Sequence, residues 1–165
     1  MTNAAWKTMP AAKACDILNF WASAPWPMSM DETHRYAAQL GWTIEEEDGE
    51  DFLVDNTAGF TMTDVSTSVM PSGDMALVSF YLADVIRDIT REATTFLDDH
   101  FTLYYREMAA RWGVGTQSTL RSGGRIAKWE LGADKGRITL LRNAKSITAN
   151  FNTPQYAKVL RDLGE

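Results

Sequence analysis

Between residues 86 and 112 apolar side chains recur at intervals that put them on one side of a helix: Ile86, Ile89, Ala93, Phe96, Leu97, Leu103, Tyr104 and Met108. Asp88, Glu92, Asp98, Arg106 and Arg111 take the remaining surface. The spacing predicts one long amphipathic helix near the middle of the chain, with Phe96 and Tyr104 turned inward. So long a stripe needs a sheet to cover it, and strand-like runs lie on both sides of it. The expected fold class is α+β: an antiparallel sheet packed against a long central helix with N-terminal and C-terminal flanking helices, forming a single domain over 1–165.

Upstream, Thr8 stands where it would cap a first helix, with Pro10 in the opening turn. Ala11, Ala14, Cys15, Leu18, Trp21 and Ala22 continue at helical spacing until Pro25 and Pro27 forbid more. Ser29 and Glu32 have the spacing of a capping box for a second helix, whose apolar face is Met30, Tyr36, Ala37 and Leu40 and which Gly41 closes. The pattern then changes to strands. Trp42-Thr43-Ile44 leads into three glutamates, Asp48-Gly49 reads as a hairpin turn, and residues 51–55 return. Further strands are expected at 60–63 and, after a turn at 71–74, at 75–82. Gly113 to Gly115 stops the central helix, strands follow at 126–131, 137–141 and 146–151, and Thr153-Pro154 opens a last helix.

The chain has 165 residues, and no apolar run reaches the ~18 residues of a membrane span. Residues 1–20 carry Lys7, Lys13 and Asp16 and have no unbroken apolar stretch, so no secretory signal is read there. A single cysteine, Cys15, has no internal partner, which fits a reducing compartment. The expected location is the cytoplasm.

Net charge is −6, and its distribution matters more than its size. Residues 1–100 hold 17 Asp plus Glu against 5 Lys plus Arg, a balance of −12; residues 101–165 hold 5 against 11, a balance of +6. Interleaved strands would mix the two halves in space; segregated strands would separate them. The net acidity disfavours nucleic acid and anionic lipid as partners and favours a basic protein.

The densest acidic run is the hairpin. Glu45, Glu46, Glu47, Asp48, Glu50, Asp51 and Asp55 put seven carboxylates into eleven residues. Two readings stand side by side, a solvated tip that aids solubility and a docking element for a cationic partner. The acids lack the spacing of an EF-hand loop, so no metal is expected.

Asp98-Asp99-His100 has the composition of an acid–base or metal site, but adjacent helical positions diverge by about 100°. A solvated helix face is expected there, and for His34 a surface or half-buried position. Cys15 falls on the inner face of the first helix, where a thiol acts as a small hydrophobe. The glycines of 113–115 and 122–124 do not match a phosphate-binding loop. Arg121, Arg125, Lys128, Arg137, Arg142 and Lys145 lie along three strands with only Trp129 as a candidate base stacker, which is little for a nucleic-acid sheet.

The capped helix closing on Leu40-Gly41-Trp42, the strand 75–82 running into a long helix, and Lys128-Trp129-Glu130-Leu131 before the Thr153-Pro154 helix together resemble an uncharacterised family of small actinobacterial proteins. The resemblance covers most of the chain, and such proteins look like immunity proteins, or antitoxins, including those that neutralise NAD-hydrolysing toxins. It implies a protein that occludes the active site of a cognate toxin with a basic cleft, with no enzymatic activity, cofactor or catalytic residue of its own. The order of helices and strands is also similar to that of type III secretion chaperones, which implies an alternative, a chaperone or adaptor holding a protein client. An enzyme would require a pocket gathering His34 or His100 with dispersed carboxylates.

Overall fold

The antiparallel sheet expected on both sides of the central helix is present, and among the described residues it has eight strands. The computed structural model describes residues 6–165; residues 1–5 of the N-terminal stretch read above lie outside it. In chain order the elements are α1 (Ala11–Ala22), α2 (Met30–Ala37), β1 (Thr43–Glu47), β2 (Glu50–Val54), β3 (Asp64–Val69), β4 (Met75–Tyr81), α3 (Arg91–Trp112), β5 (Thr116–Thr119), β6 (Arg125–Glu130), β7 (Arg137–Arg142), β8 (Ile147–Asn152) and α4 (Pro154–Asp162). The strands lie in the order β1-β2-β3-β4-β8-β7-β6-β5, and every neighbouring pair is antiparallel. The strands of the two halves do not interleave. β1 to β4 form one side of the sheet, β5 to β8 the other, and β4 against β8 is the seam.

The central helix starts later than its apolar spacing predicts. Leu82 and Ile86 still donate their N–H groups to the carbonyls of Ile147 and Lys145, at 3.0 and 2.8 Å, so the chain runs extended beside the start of β8. Thr90 then caps α3, its hydroxyl accepting from the Ala93 N–H at 3.0 Å. Ile86 is buried outside the helix, whereas Ile89 and Leu103 are 59% and 49% exposed. The buried stripe is Ala93, Leu97, Phe101, Tyr104 and Met108. Phe96 is not against the sheet. It is half-buried, its ring 5.0 Å from that of Trp6 and 4.5 Å from that of His100.

Three other expectations change in detail. Thr8 forms a β-bridge with Ala83 instead of capping α1, and Pro10 takes the cap position. Residues 60–63 make no strand, and the third strand begins at Asp64. β5, Thr-Gln-Ser-Thr, is wholly exposed and carries no apolar alternation that could mark it in sequence. The α2 capping box is formed as expected: the Glu32 N–H donates to the Ser29 hydroxyl at 3.2 Å, and the Ser29 N–H to the Glu32 carboxylate at 3.0 Å.

Side chains alternate across a strand, so the register assigns each one to a face. Ile138, Leu140, Ala149, Phe151, Val78 and Phe80 face the helices and are buried. α1 lies over β8 and α3 over β7; Arg142 on this face reaches the Thr94 carbonyl at 3.3 Å and places its Nε 3.1 Å from Asp98. α2 lies over the acidic strands, where the Thr67 hydroxyl donates to Met30 Sδ at 3.5 Å. Trp21 lies between the elements, with the rings of Phe20, Trp26, Tyr36 and Trp42 at 5.1 to 6.2 Å. Trp42 also meets Phe80 at 5.7 Å, so the base of the β1–β2 hairpin is fixed to the core. Among the described residues the opposite face is covered by α4, at one end. There the Thr153 hydroxyl donates to the Met75 carbonyl at 2.9 Å, Arg161 donates to Glu130 at 2.9 Å, and Arg137 donates to the Glu165 carbonyl at 2.8 Å.

Candidate functional site

The β1–β2 hairpin closes through a two-residue turn in which Asp48 and Gly49 have φ of 53° and 82°. Those angles suit the right-handed strand twist and explain why Asp-Gly stands there. The register pairs Glu45 with Phe52, Glu46 with Asp51 and Glu47 with Glu50. The carboxylates therefore divide between two faces. Glu45, Glu47 and Glu50 point to the side away from the helices, while Glu46 and Asp51 share the side of Ile44 and buried Leu53, toward α2.

Six of the seven acids singled out in the sequence, Glu45, Glu46, Glu47, Asp48, Glu50 and Asp51, are exposed. Among the described residues none of them takes part in an ion pair. Asp55 differs: it is 6% exposed, and its Oδ1 accepts from the Thr57 N–H at 2.8 Å and the Thr57 hydroxyl at 2.5 Å. It organises the loop after β2 and is not part of the acidic surface. The register adds one acid that the sequence does not bring to notice. Asp64 lies opposite Val54 and so shares the face of Glu45, Glu47 and Glu50. Glu47, Phe52, Asp64 and Ser66 line an open depression of about 310 Å³. Only the strand pairing reveals this, because Asp64 is fourteen positions from Glu50.

His34 is more enclosed than its sequence position predicts. It is 5% exposed, and its Nε2 has no hydrogen-bond partner among the described residues. Burial pushes its pKa down, against the opposing attraction of Asp31 on its own helix and Asp51 on β2. Asp98, Asp99 and His100 diverge as helical geometry requires. Asp98 meets Arg142, Asp99 is exposed, and His100 Nδ1 is 2.9 Å from the Phe96 carbonyl, a contact that needs the proton on Nδ1. Cys15 is buried, and that burial pushes its thiol up to about 11.

Three of the six basic side chains singled out on the C-terminal strands are committed within the fold. Arg125 lies over the Phe101 ring at 4.3 Å, Arg137 is paired with Glu130, and Arg142 with Asp98. Trp129 is buried and donates from Nε1 to the Gly113 carbonyl at 2.7 Å, so it offers no ring for base stacking. Its indole also explains Gly115, where a Cβ would stand 2.6 Å from the Trp129 ring. Among the described residues no group of three or more His, Cys, Asp or Glu is placed to hold a metal ion, and no helix is long and apolar enough to cross a membrane.

Comparison with curated proteins and with solved structures finds no match. A family of unknown function does match, over residues 12–153, a span that includes every strand of the sheet and the whole acidic hairpin. The chain belongs to that family, DUF6301.

Proposed function

We propose that this protein acts by binding and occlusion, as an immunity protein whose acidic hairpin docks against the basic cleft of a cognate toxin and covers its active site. The observation that supports the reading is the set of six exposed carboxylates on one hairpin at the sheet edge, none in an ion pair among the described residues. Like charges so close repel one another, and the field they project draws in a cationic surface. A hairpin with a fixed base and a charged tip is suited to that task. On this reading the chain supplies no reacting group, and an NAD-hydrolysing toxin is one class of target.

The test is co-expression with the neighbouring reading frame, scored by growth rescue and one-to-one co-purification. With the partner in hand, changing Glu45, Glu47 and Glu50 together to Gln should slow association several-fold at low salt and flatten its salt dependence, because the attraction acts over ~8–10 Å at physiological ionic strength. An unchanged association rate would reduce the hairpin to a solubilising tip. Asp99→Asn and His100→Ala should leave protection intact; its loss in a folded variant would point to catalysis instead.

A further inference from the structure

We infer that the open face of the sheet, from Phe52 on β2 across to Asn150 on β8, is the docking surface for a protein surface rich in arginine or lysine. The inference takes the partner's role from the function proposed above, but the surface itself follows from the fold. Helices occupy the opposite face, and among the described residues α4 meets this one at the end marked by Met75 and Glu130. Across the middle the side chains are uncharged: Leu77, Ser79 and Tyr81 on β4 stand opposite Asn152, Asn150 and Thr148 on β8. Ser66 pairs with Ser79, and the Ser79 hydroxyl donates to Asn150 Oδ1 at 2.5 Å, so no charged side chain stands between β3 and β8 along this row.

Charge then selects the occupant. Glu45, Glu47, Glu50 and Asp64 border this face on one side; on the far side Glu130 pairs with both Arg137 and Arg161, and Lys128 stands opposite Thr139, so a cationic partner is drawn to the acidic border. The depression of about 310 Å³ between Glu47 and Asp64 has Phe52 and Ser66 in its lining. A half-buried aromatic ring between two carboxylates suits a guanidinium or ammonium group, which gains from the ring face and from charge-assisted hydrogen bonds together. Glu46 and Asp51 point the other way and are not part of this surface.

Two experiments test the surface, one without and one with the partner. In the first, nona-arginine is titrated into the ¹⁵N-labelled protein, with nona-glutamate as control. Amide shifts should extend from the acidic strands onto Ser66, Ser79, Thr148 and Asn150; shifts confined to the turn at Asp48-Gly49 or to α2 would overturn the inference. In the second, Ser79→Arg and, separately, Thr148→Arg are introduced, with retained folding checked by circular dichroism. Each should weaken binding to the partner found by growth rescue at least about tenfold, whereas Glu46→Gln with Asp51→Asn should weaken it much less. Full binding by both arginine variants would remove this face while leaving the immunity reading in place. Arginine-peptide shifts on the face without any growth rescue would do the reverse.

Discussion

The Tyr104 hydroxyl lies 2.6 Å from the Met9 carbonyl oxygen, so the middle of α3 holds the entry to α1. The same hydroxyl is 2.7 Å from the Leu82 carbonyl, which also accepts the Met9 N–H at 2.8 Å. Tyr104 is 1% exposed, and its burial raises the phenol's pKa, so it remains a donor at every physiological pH. One aromatic residue thus ties together α3, the end of β4 and the segment that precedes α1.

Tyr104→Phe should therefore lower stability by about 1–3 kcal/mol, because the Met9 carbonyl loses its buried donor while the Leu82 carbonyl keeps one. Urea unfolding with an unchanged m-value would measure it. A loss below ~0.5 kcal/mol would mean that water replaces the hydroxyl.

Two phenylalanines of α3 should respond very differently to truncation. Phe101 is fully buried beneath Arg125, and Phe101→Ala should remove about 3–5 kcal/mol through lost burial and a cavity. Phe96 is half-buried against Trp6 and His100, and Phe96→Ala should remove about 1–2 kcal/mol, since less area leaves water and little void remains. Equal losses in thermal or urea melts would contradict this burial pattern.

The third expectation concerns pH. His34 has a folded-state pKa below its ordinary value of 6.5, so the unfolded chain binds the proton more readily than the native one. Its effect is absent well above 6.5. As the pH falls through 6.5 toward the folded value it lowers stability, and below the folded value the loss is complete. The stability profile of His34→Gln should be flatter than wild type across that window. Identical slopes in the two proteins would show that other groups govern the acid side.

Local elements and their chemistry were legible from neighbouring residues. The Ser29/Glu32 capping box, the Asp48-Gly49 turn and the Thr153-Pro154 helix start are short-range devices, and each is formed by the residues that announce it. The α+β class was legible for the same reason, since a helical stripe between strand patterns permits few arrangements. The rest depends on contacts between residues distant in sequence. Residues 86–89 satisfy the helical spacing, yet the Ile86 N–H pairs with the Lys145 carbonyl just before β8, and the helix begins only at Arg91. Asp55 belongs to the acidic run in sequence but turns inward to Thr57, while Asp64, outside that run, joins the open face through its position opposite Val54. The separation of acidic from basic strands was likewise undetermined until β4 paired with β8. Register and strand order are set by which side chains can share one core, and that choice is made by the whole chain at once.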